Sequence, residues 1–158
     1  MDAEVRLLLD LVDEAYDKKA WHGTNFRGSI RGLTAREAAW RPGRGRHNIW
    51  EIVVHVAYWK YAARRRILGE KRGSFALKGS NWFPRIGALP DDAWEEDVAL
   101  LGREHHAMRE AISGLRAGML PRRIRSGGTT HEYLIRGIAS HDLYHAGQIQ
   151  LLKRLMRG

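Results

Sequence analysis

The chain contains no cysteine. That absence excludes disulfides, thiolate metal ligands and a cysteine nucleophile, and it fits a reducing compartment. Proline is scarce, with four in 158 residues. No apolar stretch approaches the ~18 residues that suggest a membrane span. The opening run Met-Asp-Ala-Glu-Val-Arg is charged and lacks a signal-peptide layout. No internal repeat, low-complexity tract or convincing strand run is present. A soluble cytoplasmic protein with no membrane contact is the expectation.

What is present is globular. At 44% hydrophobic and 28% charged residues, residues 1–158 read as a single domain. That length buries a real core without staples. There are 27 basic and 18 acidic residues, for a net charge of +9. Such an excess steers nucleic acid or an anionic ligand toward a surface, and its simpler meaning is a solvated basic exterior.

Apolar periodicity predicts four long helices. Val5, Leu8, Leu9, Val12, Ala15 and Tyr16 make a stripe on the first, expected over Ala3 to about Ala20. A shorter helical piece is expected over Phe26–Gly32. Thr34 and Glu37 have capping-box spacing for another short turn. The second long helix is expected from about Asn48 to Leu68, with Ile49, Ile52, Val53, Val56, Trp59 and Ala63 on its apolar face. Gly69 is its stop. Gly73 to Leu89 is a long connection holding Phe75, Trp82 and Phe83. Loops of this length often serve as lids or packed caps. The third helix is expected from Pro90-Asp91-Asp92 to about Leu115, and the fourth from Thr129-Thr130 to about Met156. Between them, Arg122 to Gly128 reads as an exposed basic loop or a hairpin-like turn.

The last helix carries the most informative stretch, Ile138-Ala139-Ser140-His141-Asp142-Leu143-Tyr144-His145-Ala146-Gly147-Gln148-Ile149. His141 and His145 are four apart, one above the other on a helical face. Two imidazoles at that spacing can grip one metal ion. Leu134, Ile138, Ile149 and Leu152 share their face, so the pair points toward a core. His55 lies in the apolar face of the second helix, an unusual address for a polar ring, and supplies a third ligand. Three neutral imidazoles leave an open coordination position, as at a catalytic zinc-type site. The alternative is three hydrogen-bonded core histidines.

The remaining histidines read as structural or solvated: His22 in a turn, His47 at a helix start, adjacent His105 and His106, and His131 at the head of the last helix. Glu51, one turn before His55, could orient a water at the site, but a surface acid on the first helical turn is the favoured reading. Asp142 should point about 100 degrees away from His141, into a salt link. Gln148, three residues after His145, is placed to hydrogen-bond near the site or to cap a neighbouring helix end. Trp50, Trp59 and Trp82 read as core or pocket wall.

Three segments together resemble the DinB superfamily: Trp40-Arg41-Pro42, Asn48-Ile49-Trp50-Glu51-Ile52-Val53-Val54-His55-Val56-Ala57, and His141-Asp142-Leu143-Tyr144-His145-Ala146-Gly147-Gln148-Ile149. The resemblance covers nearly the whole chain. It implies an all-α four-helix bundle, up-down-down-up, with long connections between helices one and two and between two and three. It implies a divalent metal held by His55, His141 and His145; three imidazoles suit zinc, nickel, iron or copper, of which zinc or nickel is the expectation. It implies a small-molecule substrate, a metal-dependent enzyme of the thiol-dependent S-transferase or hydrolase type, a low-molecular-weight thiol as cofactor, and a homodimer. The competing expectation is a basic nucleic-acid-binding or structural bundle without catalysis. Its basis is the clusters Arg64-Arg65-Arg66, Lys71-Arg72, Arg122-Arg123-Arg125 and Lys153-Arg154-Arg157, with no recognition or stacking motif beside them.

Overall fold

A computed structural model describes residues 1–87, 89–90, 92–125 and 128–158. The described residues form an all-helical protein with six α-helices and no strand. The long helices are α1 (Ala3–Tyr16), α4 (Ile49–Leu68), α5 (Ala93–Ser113) and α6 (His131–Arg157), with short α2 (Phe26–Ile30) and α3 (Ala35–Ala39) between the first two. A 3-10 turn at Ala117–Met119 follows α5.

Local chemistry sets most boundaries. Thr34 and Glu37 close a capping box on α3, and Asn48 and Glu51 close a second on α4. Each satisfies backbone N–H groups that the first turn leaves without partners. Gly69 ends α4 in the left-handed conformation at φ 71°, where glycine carries no Cβ penalty. Thr130 caps α6 through Tyr133 N–H. The first helix stops at Tyr16, short of the expected Ala20. The stripe ends there too, and Asp17, Lys18 and Lys19 have no apolar face to bury. For the third long helix, the expected start falls partly on Asp91, which lies outside the described residues, as do Ser126 and Gly127 of the basic turn. The rest of that turn is hairpin-like: Arg123 and Thr130 form an isolated antiparallel bridge, and Ile124 N–H donates to the Thr129 carbonyl at 2.8 Å.

The core has two apolar clusters. One gathers Phe26, Ile49, Val53, Trp94, Leu101 and Ile149, and the other Val5, Val12, Met108, Ile112, Ile135 and Ala139. On three helices a polar side chain falls where one cluster gives way to the other: Lys60 on α4, His105 on α5 and Asp142 on α6. Lys60 and Asp142 are fully buried and paired at 2.5 Å, so Asp142 makes a salt link as its position beside His141 predicts. The Lys60 ammonium lies 4.8 Å from the centre of the Tyr16 ring, which stacks on His105 at 3.6 Å. Burial pushes Lys60 down and Asp142 up from their ordinary pKa values, and the contact between them opposes both shifts.

Removing one member of a buried pair strands the other charge. Lys60→Met should lower the unfolding free energy by about 3–5 kcal/mol. Lys60→Met with Asp142→Leu should recover most of that loss. Urea titration followed by circular dichroism measures both, and a double variant as unstable as the single one would contradict the pair's role.

Candidate metal centre

The face of α4 that buries Ile52, Val56 and Ala63 also carries His55, and α6 presents His141 and His145 to it. One nitrogen from each ring lies within 4.8 Å of the other two. His55 and His145 are buried, and His141 is partly exposed. The three histidines singled out from sequence are therefore brought together.

Their outer hydrogen bonds orient them. His55 Nδ1–H donates to the Asn81 carbonyl at 2.7 Å, and His145 Nδ1–H donates to Gln148 Oε1 at 2.7 Å. A neutral imidazole with its proton on Nδ1 carries a bare lone pair on Nε2. Both bare Nε2 atoms sit 3.1 Å from His141 Nε2. His141 can offer at most one N–H, so at least one of these nitrogen pairs has no proton to share. Its own Nδ1 is buried and has no partner among the described residues. Nitrogens bound to one tetrahedral ion at ~2.0–2.1 Å stand about 3.3 Å apart, close to the spacing found here. The donor set fits a divalent cation: it is neutral, convergent, and held by outer partners of the kind that metal-binding histidines use.

Burial keeps the rings uncharged. It pushes His55 down to about 4, against the opposing Asn81 hydrogen bond. Burial and the neighbouring His145 and His55 push His141 down to about 3. His145 is lowered by burial too, with Gln148 opposing. Near neutral pH all three offer lone pairs, not charges.

The long connection closes over this cluster. The Trp82 indole stacks on His55 at 3.9 Å and 11°, and His47 stacks on Trp82 from beyond at 3.7 Å and 4°. Asn81 has φ 66°, alone among the described non-glycine residues in the left-handed region. That turn aims its carbonyl at His55 while its side-chain oxygen accepts Trp59 Nε1–H at 2.9 Å. Arg85 anchors the segment further along, donating its N–H to Glu51 at 3.0 Å and its guanidinium to Asp97 at 2.7 Å.

Glu51 is not the surface acid that its first-turn position suggests. It is 4% exposed. Arg41 holds both its oxygens, at 2.5 and 3.0 Å, and His47 Nδ1 lies 3.0 Å from one of them. Burial raises its pKa, but the Arg41, Arg85 and His47 contacts win and bring it down to about 2. With every oxygen engaged, it serves as a post that sets His47 and the Trp82 segment. Gln148 behaves as expected, while Asn81 is a site residue that the sequence reading overlooked. Its signal was an asparagine after Gly79-Ser80, just where a left-handed turn would be needed. Of the other histidines, His131 donates to the Arg122 carbonyl at 2.9 Å, His105 is buried, and His106 pairs with Glu110 at the surface.

A carboxylate with a depressed pKa contributes stability that is full above its unfolded value and lost as pH falls through the folded one. For Glu51 the window runs from about 4.5 down to about 2. Glu51→Gln should cost about 3 kcal/mol at neutral pH and flatten the stability–pH curve across that window. Denaturant titrations from pH 6 to pH 2 test it. A variant with the wild-type slope would remove Glu51 from this role.

Comparison with curated proteins and with solved structures gives no match. A family model does match: the description is DinB superfamily, and the match spans residues 19–149, taking in all of α2 to α5 and the three histidines. The chain belongs to the DinB superfamily.

Proposed function

We propose that His55, His141 and His145 bind one divalent metal ion, zinc or nickel, and that the protein is a metal-dependent enzyme of the thiol-dependent S-transferase or hydrolase type. The observation carrying this reading is the pair of Nδ1–H bonds to Asn81 and Gln148, which turns two bare Nε2 atoms toward the third ring. Membership of the superfamily supports it.

A divalent ion at this position would supply Lewis-acid activation, lowering the pKa of a thiol or water beside it. The chain's own groups do the rest. Asn81 and Gln148 hold two rings in the ligating tautomer. Trp82 covers one side of His55 and excludes water from it. Trp59 fixes Asn81. No cysteine competes for the ion.

The four long helices fit the up-down-down-up bundle expected of the superfamily. Trp50 meets Asp97 and Arg64 meets Glu104, as in a parallel α4–α5 pair, whereas Asp13 meets Arg109 and Tyr16 meets His105, as in an antiparallel α1–α5 pair. Our reading includes a cytoplasmic homodimer acting on a small molecule. Among the described residues, no helix is long and apolar enough to cross a membrane. Part of the basic surface is tied internally: Arg64 faces Glu70 and Glu104, and Arg65 is buried. That leaves less of it for nucleic acid.

Protein purified without a histidine tag should carry about one metal ion per chain. His55→Ala, His141→Ala and His145→Ala should each lose it. Gln148→Leu should weaken metal affinity by roughly 10–100-fold while leaving the fold intact, and Asn81→Gly, which keeps the backbone carbonyl on His55 and loses only the contact to Trp59, should weaken it less. Elemental analysis and competition with a chelating dye measure these. A wild-type protein that neither carries nor takes up zinc or nickel would leave the three histidines structural. A screen of low-molecular-weight thiols with electrophiles, showing no metal-dependent turnover, would eliminate the transferase assignment.

A further inference from the structure

The histidine cluster does not face solvent evenly. His145 forms part of the wall of a cavity of about 520 Å³ between residues 42–47, Trp82 and the second half of α6. That volume suits a small organic molecule. Among the described residues, two charged side chains line it, Arg44 and Arg46, and no carboxylate does. Both arginines are exposed, and neither makes an ion pair among the described residues. The facing wall is apolar. Tyr144, Leu151 and Leu155 are 64%, 58% and 54% exposed. Their spacing puts them along one face of α6. The larger cavity, of about 940 Å³, differs: Asp17 and Glu95 accompany Arg27 and Arg31 there, so it selects no sign of charge.

We propose that the cavity beside His145 binds an anionic amphiphile: a carboxylate with a medium-length aliphatic body. The acid lies at Arg44 and Arg46. The body covers Tyr144, Leu151 and Leu155, with Trp82 and His47 as the end wall. Two observations carry this. Unpaired guanidinium groups with no competing carboxylate favour one sign of charge. Three large apolar side chains left against water gain from an apolar ligand that covers them. The net charge of +9 adds long-range attraction for anions. That this ligand is the substrate of the metal centre rests on the reading above. The binding itself does not, because it needs no metal.

Calorimetric titration of the full chain at low salt with octanoate, 1-octanol and octylammonium tests the proposal. Octanoate should bind about tenfold tighter than either of the others. Arg44→Ala with Arg46→Ala should bring octanoate to the level of octanol. Leu151→Ser with Leu155→Ser should weaken octanoate and octanol together. The same octanoate affinity should persist in the wild-type protein after a chelator has stripped it of metal, with metal content read separately. Octylammonium binding as tightly as octanoate, or no octanoate binding at all, would overturn the proposal. So would affinity that ignores either the arginine or the leucine pair, or that disappears with the metal. Circular dichroism confirms that each variant folds. Sedimentation of the leucine variant identifies one rival occupant: a dimer that becomes monomeric while octanoate still binds would make this face a contact between two copies.

Discussion

The arrangement depends on the buried pair of Lys60 and Asp142. Each charge is fully removed from water, and the two meet at 2.5 Å between α4 and α6. Such a pair adds little net stability compared with apolar residues of the same size, because desolvation cancels much of the attraction. What it imposes is register. Sliding α6 by one turn along α4 would leave both charges buried and alone. Asp142 follows His141 directly, so the rotation that turns the carboxylate to Lys60 also sets where the His141 and His145 rings stand relative to His55. The geometry of the three histidines is thus inherited from an interaction that none of them makes.

A second constraint works from the other side. Without the connection between α4 and α5, His55 would have no partner for Nδ1 and its ring could flip. Asn81 supplies that partner from a left-handed backbone conformation, held by Trp59. Trp82 then lies between His55 and His47. Glu51 ties the ends together, since it closes the capping box of α4, holds Arg41, receives the Arg85 N–H and faces His47. One carboxylate therefore couples the start of the helix bearing His55 to the segment that covers it. Loss of its charge would loosen both.

Helices and ligand candidates were legible in the sequence because their signals are periodic. The stripe from Val5 to Tyr16 marks α1, and the His141–His145 spacing marks a shared face on α6. His55 was legible because a polar ring in an apolar stripe demands a partner. Glu51 was misread for a physical reason. A first-turn acid is satisfied by the helix dipole alone, so nothing local reveals that Arg41, ten residues earlier, and Arg85, far later, converge on it. Asn81 differs: the asparagine after Gly79-Ser80 signals a turn, but that its carbonyl meets His55 depends on where a long irregular segment folds back. Contacts that repeat along a helix are written in the sequence. Contacts that close a loop onto a helix depend on the whole chain.

Burial and openness are divided among the three rings in a way that bears on chemistry. His55 is enclosed by Trp82 and Asn81, and its buried Nδ1–H is satisfied by protein. His145 is anchored by Gln148 yet borders the cavity with Arg44 and Arg46. His141 borders a second, smaller cavity of about 320 Å³, lined by Trp59, Tyr133, Leu134 and Ile138, with Arg66 as its charged residue. Among the described residues, neither cavity is lined by a carboxylate. An ion among these rings would therefore be enclosed on the Trp82 side and approachable along α6 from two directions, one amphiphilic and cationic, the other mainly apolar. Two cavities of different character are thus each bordered by a different ring of the same cluster.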